Sequence, residues 1–407
     1  MADYDVNLMD PETYVKGVPH EYFAELRANR PVEWREEPGE AGYWAIVGYH
    51  DSVTVNREWE SFSSYEKGAL PFDMPEDQLE QQRLMMLNMD PPLHTRYRRL
   101  VNKGFTPRMV RDLEASIHHA TDELLDAVIE SGKADFVVDI AAELPLVVIA
   151  ELLGVPREDR HRMFDWSNQM IGSQDPEFGL TEEISAQAAM DLYVYASALF
   201  AEKRINPHED LMSVLTTVEV EGEQLNQLEL ELFFLLLTVA GNETTRNLIS
   251  GAMAAFFEFP EQWELLKNDR SLMNSAIEEM LRFITPVMNF RRTAMADVEL
   301  SGVTIKKGDK CIFFHTSANR DESVFENAQA FDITRNPNPH MAFGGGGPHF
   351  CLGANLARLE IKIMFEHLLD RIPDLVQAGP VERLRSPFIS GVKHIPISFT
   401  PGQKVLS

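Results

Sequence analysis

The sequence has 407 residues, 44% of them hydrophobic, and a formal net charge of −27 at pH 7. That charge argues against nucleic acid as a partner, because phosphate binding needs a basic footprint. The only two cysteines, Cys311 and Cys351, exclude a four-thiolate iron–sulfur cluster and a Cys-only zinc site, and such sparse usage suits a reducing compartment.

The N-terminal MADYDVNLMDPETYV is acidic and lacks an apolar core, so no secretory signal is expected. No stretch reaches the ~18 apolar residues of a membrane span, so the expectation is a protein without a membrane anchor, in the cytoplasm. The length exceeds the ~100–200 residues usual for a domain. No Gly/Ser-rich or Pro-rich linker interrupts it, and residues 1–407 are expected to form a single domain with a sizeable core.

In chain order, the spacing predicts a helix over 19–29 and a strand over YWAIVGY, 43–49. Residues 61–83 are polar and irregular, with Gly68 and Pro71, and a loop of that length is usually functional or mobile. The turn Asp90-Pro91-Pro92 opens a helix on which His94 and Arg98, four apart, share a face. Arg96, Arg98, Arg99, Lys103, Arg108 and Arg111 lie in 94–111 with no acid among them, a local reversal of sign. Such a run reads either as a solvated helical face or as a binding surface for anions.

Helical patterning continues through 107–154 and ends at Gly154 and Pro156. His118 and His119 read as surface or packing residues, since no carboxylate or Cys pattern surrounds them. Residues 165–183 break the pattern, which resumes through Leu211–Leu215. Residues 224–259 are apolar enough for one helix of more than about 50 Å at about 1.5 Å per residue. Gly241-Asn242-Glu243-Thr244-Thr245-Arg246-Asn247 interrupts it with poor helix formers. A Thr hydroxyl there can bond the carbonyl four residues back and bend the helix. The interruption reads as a loop between two helices or as a widened helical turn.

Glu279-Met280-Leu281-Arg282 is an E-x-x-R that alone would be a surface ion pair. VELSGVTI, CIFF and HIPISFT predict small β-sheets, with Cys311 a buried strand residue. Last comes MAFGGGGPHFCLGANLARLEI, 341–361. Leu352, Leu356, Leu359 and Ile363 recur at helical spacing, so Cys351 sits where a glycine-rich loop enters a helix. A thiol at a helix N-terminus is pushed toward thiolate, the form that ligates metals. Glycines let the backbone approach a flat ligand. A phosphate loop is not indicated, because neither G-K-[ST] nor G-x-G-x-x-G is present.

The string AFGGGGPHFCLGANLAR resembles the haem-binding loop of the cytochrome P-450 superfamily. Phe343 stands eight residues before Cys351, one more than is usual there, as in a bacterial branch that hydroxylates terminal methyl groups of sterol side chains and methyl-branched lipids. The resemblance runs from about residue 40 to the C-terminus, and its motifs follow the family's order.

It implies a mainly α fold, a large helical domain with small β-sheets, and haem b bound through Cys351 as metal ligand, with Phe343, Gly344, His349 and Gly353 around it. His94, Arg98 and Arg292 would meet the haem propionates, and Arg96, Arg99 and Lys103 would face an acidic redox partner. AGNETT is similar to the family's oxygen groove, with Ala240 and Gly241 leaving room beside the iron, Thr244 bonding O2 and Glu243 supplying protons. Glu279, Arg282 and Arg335 would brace the cysteine loop. Val239, Ala240, Val287, Met288, Phe290, Phe388 and Ile389 would line the pocket, and 165–183 resembles a lid over it.

The implied reaction inserts one oxygen atom of O2 into an unactivated C–H bond of a hydrophobic small molecule. Electrons would come from NAD(P)H through a ferredoxin reductase and a ferredoxin. Monoterpene alcohol hydroxylation, a peroxide-driven peroxygenase and a non-catalytic haem sensor are the competing readings.

Overall fold

The computed structural model describes residues 6–37, 39, 41–171, 175–178 and 181–406. Within 165–183, the segment likened to a lid, residues 172–174 and 179–180 lie outside the described residues, as do 1–5 of the N-terminal stretch. The chain forms two compact units, each assembled from three separate segments.

The first unit comprises 1–95, 271–351 and 383–390. Its centre is a five-stranded sheet in the order Val32–Arg35, Tyr43–Ile46, Lys310–Phe314, Asn289–Ala294, Phe62–Ser63. Every residue of Lys310–Phe314 is buried, which follows from the two-residue alternation of a strand covered on both faces. Ile312 and Phe314 pack with Phe23, Leu26, Tyr43 and Val47, while Cys311 and Phe313 pack with Ile46, Val55 and Phe62. Burying one such large apolar side chain contributes about 1.5–3 kcal/mol. The predicted strand at 43–49 is shorter than expected, because Gly48 caps a helix that begins at Tyr49. The helix predicted at 19–29 spans His20–Asn29. VELSGVTI forms the hairpin Val298–Leu300 with Val303–Ile305. The irregular 61–83 segment holds the short strand Phe62–Ser63 and a helix, Glu76–Gln82.

The second unit comprises 96–270, 352–382 and 391–407. The helix Gln227–Glu258 runs through it without a break, so the loop alternative for 241–247 does not hold. Its start is fixed by a capping box, in which the Asn226 side chain accepts from the Glu229 amide and Glu229 accepts from the Asn226 amide. Pro260 opens the next helix. The helices Glu143–Leu152, Arg160–Ile171, Glu182–Ile205 and Ala354–Arg371 pack against the long helix. This surrounding bulk makes unfavourable mid-helix residues tolerable, since packing outweighs intrinsic propensity. Residues 107–154 form the helices Pro107–Asp112, Glu114–Val128 and Glu143–Leu152, with the strand Lys133–Asp135 and the π-helical turn Phe136–Ala141 between the last two. Among the described residues no helix is long and apolar enough to cross a membrane.

Candidate functional site

In the first unit the Cys351 loop is closed by a hydrogen bond from the Cys351 amide to the Phe343 carbonyl, 3.0 Å. The four glycines between them all have positive φ. At Gly347 (φ +81°) a Cβ would also come within 2.8 Å of the Asn56 carbonyl oxygen, so only glycine satisfies both demands. Two residues that sequence reasoning missed hold the loop. Asn56 Nδ2 donates to the Gly344 carbonyl and, at 2.9 Å, to the Gly346 carbonyl. Arg57 Nη2 donates to the Gly345 carbonyl at 2.7 Å. No local pattern marks either residue, because their partners lie nearly 290 positions away.

Cys351 is exposed, and the helix behind it begins at Ala354 with Gly353 as an N-cap that has no side-chain hydrogen bond. Leu356 and Ile363 are buried as the helical spacing predicts, while Leu352 and Leu359 are half-buried and Glu360 is buried. His349 Nε2 lies 3.2 Å from Ser64 Oγ, and its ring centroid is 4.4 Å from that of His94. Those two residues are therefore neighbours. Arg98 follows one turn after His94 in the helix Leu93–Val101 and is half-buried.

Arg292 is 3% exposed and donates to the Arg291 carbonyl (2.7 Å) and to Asn56 Oδ1 (3.0 Å). Among the described residues no carboxylate pairs with it. Burial pushes this guanidinium down to about 10, with Asp90 partly opposing. A permanently buried cation without an anion is costly unless an anion arrives.

Glu279, Arg282 and Arg335 do come together. Both Glu279 and Arg282 have fully buried side chains, and Arg282 donates to Glu279 at 2.8 and 2.7 Å. Arg335 Nε reaches Glu279 Oε2 at 3.1 Å, and Asn338 Nδ2 reaches the same oxygen at 3.1 Å. Arg282 also donates to the carbonyls of Asn319, Ala328 and Ala330, each at 2.8 Å.

Of the residues expected to line a pocket, Val287 bridges to Ile389, the Met288 amide donates to the Phe388 carbonyl at 2.9 Å, and the Phe290 and Phe388 rings stand 5.7 Å apart. Val287, Phe290 and Phe388 are half-buried. Met288 and Ile389 are buried.

In the second unit, Ala240 on the long helix is exposed, Val239, Gly241 and Thr244 are half-buried, and Asn242, Glu243 and Thr245 are buried. Thr244 Oγ1 donates to the Ala240 carbonyl at 2.8 Å, the local bond expected of a Thr at that place. Gly241 does not merely leave free room. A Cβ there would lie 2.9 Å from Ile149 Cδ1, so its smallness is required by the neighbouring helix. Glu243 pairs with Arg246 at 2.9 Å, and Asn247 Nδ2 donates to the Glu243 backbone carbonyl at 2.8 Å. Members of the basic run are paired with acids. Arg96 pairs with Glu223 (3.0 Å) and Glu229 (2.8 Å), and Arg99 pairs with Glu221 (2.8 Å). Glu221 and Glu223 come from the turn before the long helix and Glu229 from its first turn, which sequence order hid.

The sequence model of the cytochrome P450 family matches residues 180–372. A steroid C26-monooxygenase of Rhodococcus jostii (strain RHA1) is 43% identical over 400 residues, 96% of this chain and 84% of that protein. A methyl-branched lipid omega-hydroxylase of Mycobacterium tuberculosis (strain ATCC 25618 / H37Rv) is 39% identical over 410 residues, 98% of this chain and 95% of that one. Among solved structures, Mycobacterium marinum cytochrome P450 CYP268A2 in complex with pseudoionone superposes with a TM-score of 0.89 at 37% identity, covering 97% of this chain and 98% of that one. Together these define an oxygen-using monooxygenase, an oxidoreductase of the P450 fold. The chain belongs to the cytochrome P450 family.

Family membership implies a haem iron. The first unit fits such a group. It offers a thiol on a tightly turned glycine loop, and the buried Arg292 lacks the anion that a haem carboxylate would provide.

Proposed function

We propose that this P450 hydroxylates the terminal methyl carbon of a sterol side chain or of a methyl-branched lipid. The reading is supported by relatives of 43% and 39% identity that span nearly the whole chain and carry names of those two activities. The overall change would be R–H + O2 + 2 electrons + 2 protons giving R–OH and water. The haem, of the b type, would supply the activation of O2 when reduced.

In this reading Cys351 holds the iron as thiolate, and Phe343, Gly344 and Gly353 shape the loop around it. His94, Arg98, His349 and Arg292 neutralise the haem carboxylates. Thr244 and Glu243 hold and pass the two protons, and the apolar side chains that would meet the substrate are Val239 and Ala240 of the long helix and, in the first unit, Val287, Phe290, Phe388 and Ile389. Gly241 leaves room beside the iron and lets the helix carrying Ile149 pack close, and Glu279, Arg282 and Arg335 brace the segment before the cysteine loop. Electrons come from NAD(P)H through a ferredoxin reductase to a ferredoxin, which delivers them to this single catalytic domain in the cytoplasm. The relatives do not favour the monoterpene alcohol reading.

The test is an optical titration of the ferric protein with a cholestenone and, separately, with linalool. A saturating Soret shift toward high spin with the sterol, followed by product hydroxylated at the end of the side chain, is the expected outcome. A shift with linalool alone would overturn the substrate class.

A further inference from the structure

Beside Arg292 the first unit buries a second base. His315 follows the strand Lys310–Phe314, opens the short helix His315–Ala318, and is 1% exposed. Its ring stands edge-on to Phe313 (centroids 5.1 Å, 75°) and to Phe290 (5.8 Å, 74°). The guanidinium carbon of Arg292 lies 5.2 Å from the centroid of the same Phe313 ring. One phenylalanine therefore frames two basic groups.

Neither ring nitrogen of His315 meets a partner in hydrogen-bond geometry. The Val287 carbonyl is near enough to favour the protonated ring, but burial outweighs it and the Arg292 charge adds to burial, so the imidazole is pushed down to about 4. Among the described residues neither base has a paired carboxylate. A neutral imidazole always retains one N–H donor. Leaving that donor unmet beside an uncompensated guanidinium is unfavourable twice over. Both deficits are removed by one acceptor that carries negative charge.

We infer that His315 is a second binding residue, beside Arg292, for a carboxylate of the haem. The fit is chemical. A planar carboxylate can accept from a guanidinium on one oxygen and from an imidazole N–H on the other. Phe290 and Phe313 keep the site dry, so each bond is stronger than it would be in water. Sequence reasoning missed His315 because it ends an apolar strand and reads there as a core residue. The inference rests on the haem reading of Cys351.

The experiment compares the holoprotein with His315→Leu, His315→Phe and His315→Gln, following transfer of haem to excess apomyoglobin. A second set is reconstituted with haem dimethyl ester, which lacks the carboxylates. One charge-assisted hydrogen bond corresponds to a change of about tenfold to a hundredfold. Haem loss should be faster by that factor in the Leu and Phe variants and near the parent rate in the Gln variant, which keeps an N–H donor. With the ester, parent and variants should lose haem at the same rate. Equal rates for parent and Leu or Phe with natural haem would overturn the inference. So would a difference that persists with the ester, or loss in Gln as fast as in Leu. If Leu fails to fold, Phe makes the same deletion with an aromatic volume. Failure of the haem reading itself looks different, because the unmodified protein would then show no Soret band.

Discussion

Replacing Glu279 with Gln keeps the shape of the side chain and deletes one charge. In the folded protein that charge faces two guanidinium groups, Arg282 at 2.7 Å and Arg335 at 3.1 Å, and it also accepts from the Asp332 amide at 2.8 Å. The side chains of Glu279 and Arg282 are fully buried. The amide group of Gln would point hydrogen-bond donors at donors, and Arg282 would stay buried with only carbonyls as partners. Removing one partner of a buried pair costs about 3–5 kcal/mol, because the remaining charge is uncompensated. With 407 residues at about 2.1 cal/mol/K each, the unfolding entropy is about 0.85 kcal/mol/K. The expected fall in Tm is therefore about 4–6 °C. Circular dichroism of the holoprotein on heating reads it directly, with Soret absorbance followed in parallel. A Tm within about 1 °C of the parent would refute the reasoning, since it would mean that desolvation cancels the attraction of this pair.

Thr244→Ala removes the hydroxyl from the exposed side of the long helix. Product formed per NAD(P)H consumed should fall while peroxide rises, because a proton-holding group is lost; unchanged coupling would refute the role of Thr244. Arg246→Gln deletes the partner of Glu243, which lies 2.9 Å away. Proton transfer should change, read as an altered pH profile and solvent isotope effect on turnover, and identical profiles would show that the pair is only structural. His394 bonds Glu177 at 2.7 Å and Asp135, and its pKa is raised, first by Glu177. A raised pKa stabilises the fold fully below the unfolded value of about 6.5 and loses that contribution as pH rises through the folded value. Glu177 is held low, first by Lys393, so its share is present above about pH 4.3 and is lost on acidification. The Tm gap between parent and His394→Phe should thus be widest near about pH 5–6.5 and close in alkali; a gap constant across that range would refute the assignment.

What sequence could reveal depended on the range of the interaction. The cysteine loop and the long helix were legible because their patterns lie within a few residues, whereas the E-x-x-R read locally as a surface pair and its burial against Arg335 and Asn338 came from more than 50 residues away. Asn56 and Arg57 were not, since their carbonyl partners at Gly344, Gly345 and Gly346 belong to a segment nearly 290 residues on. The acids that pair with Arg96 and Arg99 of the basic run 94–111 were hidden for the same reason, because Glu221, Glu223 and Glu229 return to it from far along the chain.

Glu243 and Thr244 show how adjacency in sequence can mislead even within a recognised motif. Successive residues on a helix point about 100° apart. Accordingly Thr244 sits on the more exposed side and bonds back to Ala240, while Glu243 is buried and turned along the helix to Arg246 and Asn247. They are two groups on different faces, each already engaged. For protons to pass through both, Glu243 must exchange its guanidinium partner for another contact during turnover. Asn247 limits that exchange, because its Oδ1 also accepts from the Val392 amide at 3.3 Å and so ties the same turn to the strand Val392–His394. The resting arrangement therefore keeps the acid closed, and the Arg246→Gln profile measures how much that closure governs the rate.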